Sequence, residues 1–165
     1  MQILIKFLAD YLLLLIVPLA GYALLFKAPK YGKYDRYTRV LMAGLTSYWL
    51  AKVIGSLWQP ETLRPFEQQG VQAGASYLGN AGFPSDHVLF AMFLTLAVWY
   101  VTRKPRLAIA LLVMTLAMGL GRVLALVHTP LDVIGGIVIA LLGAVWYLDF
   151  KQKIPQSKLA KTSNK

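Results

Sequence analysis

Long apolar stretches alternate with short polar ones along this chain of 165 residues. A helix that crosses a membrane needs about 20 mostly apolar residues. Five segments have roughly this length and character, namely 3–26, 38–58, 85–102, 107–126 and 130–150. The first resembles a signal peptide, but Asp10 interrupts it, and cleavage would leave a cluster of basic residues as an exported tail. The pattern therefore predicts a retained first helix and an all-α integral membrane bundle of about five transmembrane helices.

The composition agrees with a membrane protein. Apolar residues make up 58% of the chain and the mean hydropathy is +0.57, whereas soluble proteins average about 45–50% apolar residues. The net charge of +10 comes from basic clusters that apolar runs separate, so it does not form the single basic patch of a nucleic-acid-binding protein. With no cysteine, the chain has neither a disulfide framework nor a thiolate metal site.

The distribution of lysine and arginine predicts the orientation in the membrane. Residues 27–39 hold five of these side chains, residues 103–106 hold three, and the tail after Phe150 holds five. Basic residues favour cytoplasmic connections, so the N-terminus, the 59–84 loop and the 126–130 turn are expected outside. Within that loop, residues 66–77 are expected to form a short helix on the membrane surface. Residues 1–150 then form one transmembrane domain, followed by a basic cytoplasmic tail, 151–165, that we expect to be disordered.

Charged residues near the outer side need a separate explanation, because ionisable groups at membrane depth are costly and often functional. Lys6 and Asp10 have the i, i+4 spacing of a local ion pair. The other basic residues are Lys52, Arg64 and Arg122. They lie near the two histidines of the chain, in the segments Pro84-Ser85-Asp86-His87 and Arg122-x5-His128-x3-Asp132.

These side chains suit chemistry on a phosphate group. Arginines bind phosphate oxygens in a bidentate manner, a lysine adds a point charge, and a helix start at Ser85 offers free amides. One histidine can attack phosphorus while the other protonates the leaving oxygen. The spacing of one helical turn lets Asp132 hold the second ring nitrogen of His128.

Simpler interpretations exist for each residue. Asp132 can complete a capping box with Thr129, Ser85 or Asp86 can cap a helix, and Arg122 can snorkel to the interface. A metal site is a further alternative, whose ligands would be Asp86, His87, His128 and Asp132. Structural roles explain the residues one at a time, whereas a phosphate site explains why they all converge on one side.

The same residues resemble the type-2 phosphatidic acid phosphatase superfamily, whose motifs are Lys-x6-Arg-Pro, Pro-Ser-Gly-His and Ser-Arg-x5-His-x3-Asp. The resemblance covers about residues 52 to 136. It implies a helical bundle with its site at the outer membrane face and no metal or other cofactor. By this resemblance His128 is the nucleophile, Asp132 orients it and His87 is the general acid. The residues that bind the phosphoryl group would be Arg64, Ser85 and Arg122, with Lys52 a doubtful fourth.

Three positions depart from the family motifs. Eleven residues instead of six separate Lys52 from Arg64, Gly121 replaces a serine, and Asp86 replaces a glycine. An inserted stretch around residues 58–60 would restore the lysine geometry, or the role of the lysine is lost. The variant Phe-Pro-Ser-Asp-His looks like the bacitracin-resistance-type undecaprenyl-diphosphate phosphatases.

This resemblance implies a multi-pass enzyme of the bacterial inner membrane. It would hydrolyse undecaprenyl diphosphate to undecaprenyl phosphate through a phosphohistidine, in support of cell wall biogenesis. One alternative is a phosphatase of phosphatidate, phosphatidylglycerol phosphate or lipid A phosphate with the same site. A second is a non-catalytic protein that binds or moves phospholipids. The expected partners are a lipid phosphate and the bilayer, and no obligate protein partner is inferred.

Overall fold

The structure is a computed structural model that describes residues 2–60, 62–79 and 82–148. The described residues contain helices and no strand, which confirms the all-α prediction. The tail 151–165 lies outside them. The helices are α1 (Gln2–Phe26), α2 (Lys33–Leu57), α3 (Pro65–Gln68), α4 (Asp86–Thr102), α5 (Pro105–Leu124) and α6 (Pro130–Gly143), which continues as a 3₁₀ turn, Ala144–Tyr147.

Four of the described helices are long and apolar enough to cross a membrane: α1, α2, α5, and α6 together with its 3₁₀ turn. The fifth predicted span corresponds to α4, which has 17 residues. It is about 26 Å long at 1.5 Å per residue, slightly less than a typical hydrocarbon core. Helix α2 begins at Lys33, earlier than the predicted 38, because its charged first turns are helical although they are not apolar.

Helix α4 lies at the centre of the bundle. It packs against α1, α2, α5 and α6, and ten of its residues are buried, including Val88, Ala91 and Val98. The other long helices each expose large apolar side chains, such as Leu14, Leu45 and Val113. An apolar exterior of this kind is typical of helices surrounded by lipid.

Small residues let the helices approach one another. A Cβ atom at Gly136 would lie 2.9 Å from the carbonyl oxygen of Ser85, and one at Gly143 would lie 2.6 Å from the carbonyl oxygen of Ala43. Such contacts leave no room for a side chain, so glycine brings the two backbones together. The helix α6 is thereby held against α4 near one end and against α2 near the other.

The basic connections share one end of the bundle. Arg36, in the first turn of α2, donates from Nη1 to the carbonyl oxygen of Val101 near the end of α4, at 2.8 Å. Arg39 donates from Nη1 to the carbonyl oxygen of Leu148, at 2.9 Å. The loop between α2 and α4 and the turn between α5 and α6 therefore lie at the opposite end.

The loop between α2 and α4 contains less helix than the sequence suggests. A short surface helix over about 66–77 was expected, but α3 has four residues and Gly70 follows with a positive φ of 65°. The loop then runs across the end of α5, where the amide of Gly74 donates to the carbonyl oxygen of Ala125 at 3.0 Å. Tertiary hydrogen bonds replace the helical ones, so the expected helix was wrong.

We expect Gly143→Ala to destabilise the bundle without changing the structure of the loop between α2 and α4 at the opposite end. The new methyl group would meet the main chain of Ala43 and the side chain of Ser47, and overpacking of this kind costs about 1–3 kcal/mol. Thermal unfolding in detergent measures the effect. Gly21→Ala is the control, because no atom lies within 4 Å of its Cβ position; equal stability of the two variants would contradict the packing.

Candidate active site

The turn between α5 and α6 places His128 beside Asp132. Thr129 caps α6. The amide of Thr129 donates to Oδ2 of Asp132 at 2.8 Å, and the amide of Asp132 donates to the hydroxyl of Thr129 at 3.2 Å. Pro130 occupies the first helical position. The same Oδ2 lies 3.4 Å from Nδ1 of His128. Helix capping and histidine orientation are therefore not alternatives, since one carboxylate does both.

The surroundings of His128 favour a neutral imidazole. The residue is 4% exposed, and burial lowers its pKa below the usual value. The nearby carboxylate of Asp132 opposes this shift, whereas the positive charges of Arg122 and Arg64 add to it. A neutral ring with its Nδ1 side against a carboxylate has Nε2 available as a nucleophile.

The segment before α4 is fastened to this turn through its main chain. The amide of Ser85 donates to the carbonyl oxygen of Asp132 at 3.0 Å. The Phe83–Pro84 peptide bond is cis. Ser85 is completely buried, and its hydroxyl has no partner among the described residues. A buried polar atom without a partner is unusual, and here it lies within the predicted phosphate site.

The residues after α2 hold the same segment from the other side. Gln59 donates from Nε2 to the carbonyl oxygen of Phe83 at 2.9 Å and accepts at Oε1 from its amide at 3.2 Å. The ring of Trp58 packs edge-on against Phe83, with ring centroids 4.9 Å apart. The stretch that lengthens the first motif therefore has a structural use, because it positions the second motif.

Arg64 connects the first motif to the third. Its Nη1 donates to the carbonyl oxygen of Val127 at 2.6 Å, and its Nη2 donates to that of Leu78 at 3.0 Å. The guanidinium also lies 5.4 Å from the ring centre of Tyr77. At 8% exposure the side chain is buried. One of its hydrogen bonds ends on Val127, the residue that precedes His128.

Arg122 is buried more deeply, at 1% exposure. Its Nη1 donates to Oδ1 of Asp10 at 3.1 Å and to the carbonyl oxygen of Ser76 at 2.7 Å. Two simpler interpretations are therefore wrong: Arg122 does not snorkel to the interface, and Asp10 binds Arg122 instead of forming a local pair with Lys6. The spacing rule considers only neighbours on one helix, whereas the partner of Asp10 comes from another helix.

Four of the seven predicted site residues border one small cavity, whereas Lys52, Ser85 and Asp132 are not part of its lining. Its walls include both arginines and both histidines, and the full lining is Arg64, Leu78, Pro84, Asp86, His87, Arg122 and His128. Its volume is about 10 Å³, which is close to the space that one water molecule requires. Across residues 2–60, 62–79 and 82–148, no three His, Asp or Glu side chains form a group suited to a metal ion.

Lys52 lies at the edge of this arrangement. Its Nζ is 3.2 Å from Oδ1 of Asp86, and the two side chains are 47% and 34% exposed. Asp86 borders the cavity, whereas Lys52 belongs to the neighbouring groove with Gly55 and Ser56. Lys52 therefore contacts the site through Asp86, the residue that replaces the glycine of the family motif.

Gly121 has a packing explanation. A Cβ atom there would lie 2.7 Å from the amide nitrogen of Ala9 and 2.7 Å from Cβ of Leu8. The nearest obstacle includes main chain, which cannot rotate away. The serine of the family motif therefore cannot be accommodated unless α1 moves away from α5.

Comparisons with known proteins agree with the motifs. The model of the PAP2 superfamily matches residues 37–155. Undecaprenyl-diphosphatase BcrC of Bacillus subtilis (strain 168) is 30% identical over 130 residues, which is 75% of this chain and 64% of that protein. The match thus spans less than two thirds of the relative's length. No solved structure matches the chain.

We expect Gly121→Ser to lower activity even though it restores a family residue. The side chain would separate α1 from α5, with a loss of about 1–3 kcal/mol in unfolding free energy. Gly121→Ala is the matched variant, because it adds the same Cβ without a hydroxyl. Phosphate release and thermal unfolding in detergent should fall similarly in both; higher activity of the serine variant would instead indicate a hydroxyl contact with phosphate.

Proposed function

Because this chain belongs to the PAP2 superfamily, we propose that it is a membrane phosphatase that hydrolyses undecaprenyl diphosphate to undecaprenyl phosphate. One observation carries the proposal: both histidines of the chain and two buried arginines border a single cavity. Two guanidinium groups there would bind the phosphoryl oxygens, and the unpartnered hydroxyl of Ser85 would supply a further hydrogen bond. Buried cations of this kind stabilise the charge that develops during phosphoryl transfer.

In the first step, Nε2 of His128 attacks the terminal phosphorus. A nitrogen–phosphorus bond forms, and the bond from phosphorus to the bridging oxygen breaks. His87 donates a proton to that oxygen, so undecaprenyl phosphate leaves. Asp132, 3.4 Å from Nδ1, holds the ring and stabilises the positive charge that the attack creates.

In the second step, water hydrolyses the phosphohistidine. His87, now neutral, accepts a proton from the water as its oxygen bonds to phosphorus, and the nitrogen–phosphorus bond breaks. Inorganic phosphate leaves, and both histidines return to their starting protonation states. The proposal involves the protein's own side chains throughout and no metal ion.

The similarity to undecaprenyl-diphosphatase BcrC favours a polyprenyl diphosphate over other lipid phosphates. The residues that border the cavity recognise a phosphoryl group and would serve phosphatidate, phosphatidylglycerol phosphate or lipid A phosphate equally well. Discrimination must therefore depend on the rest of the lipid, which only a substrate panel measures.

The enzyme is a multi-pass membrane protein, and we propose that its site faces outward in the bacterial cell membrane. The basic connections lie at the opposite end of the bundle, where the positive-inside rule favours the cytoplasm. The N-terminus of α1 then lies outside. An outward site would regenerate the carrier lipid undecaprenyl phosphate on the outer side of the membrane.

We expect His128→Ala to abolish release of phosphate from undecaprenyl diphosphate, because it removes the proposed nucleophile. The measurement is phosphate release in detergent from four lipids: undecaprenyl diphosphate, phosphatidate, phosphatidylglycerol phosphate and a lipid A phosphate. Wild type should prefer the first by about tenfold or more in kcat/KM, the scale of 1.4 kcal/mol.

The panel has one control variant and two outcomes that would contradict the proposal. Lys104→Ala changes a basic residue at the other end of the bundle and should leave activity intact. Full activity of His128→Ala would contradict the phosphohistidine mechanism, and a wild type that hydrolyses none of the four lipids would favour the non-catalytic alternative.

The dependence of kcat/KM on pH should be bell-shaped, because the two histidines act in opposite protonation states. His128 must be neutral, and its pKa is lowered. Activity should therefore remain as the pH falls through about 6.5, the usual histidine value, and decline only at lower pH. His87 must carry a proton, and loss of that proton gives the opposite limb of the bell. A flat profile between about pH 4 and pH 9 would contradict the pairing.

A further inference from the structure

We propose that Asp10 is a positioning residue for catalysis, acting through Arg122. This inference rests on the proposed function, in which Arg122 binds the phosphoryl group. Asp10 belongs to α1, outside all three sequence motifs and outside the residues 37–155 that match the family model. Its carboxylate is nevertheless the acidic partner of the most deeply buried charged side chain in the described part of the protein.

The carboxylate makes contacts with both of its oxygens. Oδ1 accepts from Nη1 of Arg122 at 3.1 Å. Oδ2 accepts from the amide of Ser76 at 3.0 Å and from its hydroxyl at 3.1 Å. The carbonyl oxygen of Ser76 in turn accepts from the same Nη1 at 2.7 Å. These contacts form a closed set that fixes the arginine, the loop and α1 relative to one another.

The backbone of α1 is specialised at this position. Residues Phe7–Tyr11 form a π-helical turn within an otherwise α-helical segment. Such a turn changes the direction in which the following side chains point, and it often occurs at functional sites. Here the turn contains Asp10 and also Ala9, whose amide nitrogen lies next to Gly121. Close approach at Gly121 brings the carboxylate within reach of the adjacent Arg122.

Loss of the Asp10 carboxylate would leave the buried charge of Arg122 without its acidic partner. A guanidinium at 1% exposure has lost almost all contact with water, and a buried charge whose partner is removed is strongly destabilised. Without the carboxylate, Arg122 would turn towards other acceptors or the helices would separate. Its Nε would then no longer be held where the proposed phosphoryl group binds. Nε has no partner among the described residues.

The test is a double-mutant cycle between Asp10→Asn and Arg122→Gln. We expect Asp10→Asn to lower kcat/KM by roughly 10- to 100-fold, and to weaken inhibition by orthovanadate, a phosphoryl analogue, by a similar factor. In the Arg122→Gln background the same substitution should change kcat/KM by less than about twofold, because the residue through which it acts is absent. Asp10→Glu should recover part of the activity.

The matched control is Asp35→Asn. Asp35 also pairs with an arginine, Arg39, at 3.2 Å, but it is exposed and at the opposite end of the bundle. Removing that pair should leave both kcat/KM and vanadate inhibition unchanged.

Each outcome has a defined meaning. Wild-type activity of Asp10→Asn, or losses that simply add in the double variant, would overturn the inference. If Asp10→Asn does not fold, the double variant should fold again because the unpaired charge is gone, and failure to recover would also overturn it. His128→Ala separates the two proposals: if that variant is active the proposed function fails, whereas an inactive His128→Ala beside an unaffected Asp10→Asn refutes the role of Asp10 alone.

Discussion

The buried positive charge at the end of the bundle opposite the basic connections is the constraint on which the site depends. Two guanidinium groups lie in an apolar environment where an unpaired charge would cost at least several kcal/mol. Arg122 meets this constraint with Asp10 and a main-chain carbonyl group, and Arg64 meets it with the carbonyl groups of Val127 and Leu78. The loop between α2 and α4 is therefore held in place by its hydrogen bonds with the two guanidinium groups.

Hydrogen bonds to main-chain carbonyl groups then join the three motifs into one unit. Ser85 donates to the carbonyl oxygen of Asp132, and Arg64 donates to that of Val127. Each motif thus contacts the residues that flank His128. The contact of Ser85 uses only peptide groups, so it holds two motifs together and leaves the hydroxyl of Ser85 without a partner among the described residues.

Each departure from the family motifs has a structural counterpart. Asp86 in place of glycine provides a partner for Lys52, and the longer spacing after Lys52 includes Gln59, which holds Phe83. Gly121 in place of serine allows α1 to lie against α5, close enough for Asp10 to reach Arg122. The substitutions at 86 and 121 are each accompanied by a contact that the family pattern does not contain.

Periodicity, hydropathy and motif spacing determined much of this protein. They predicted the all-α membrane bundle and its five helices to within a few residues, because a span must be apolar over a fixed length. They also made His87, His128, Arg122 and Asp132 candidate site residues, since ionisable residues are conspicuous in apolar sequence. Only the tertiary structure decided the partner of Asp10, the reason for Gly121 and the place of Lys52. Those depend on which helices touch, and a contact between residues 112 positions apart leaves no local pattern in the sequence.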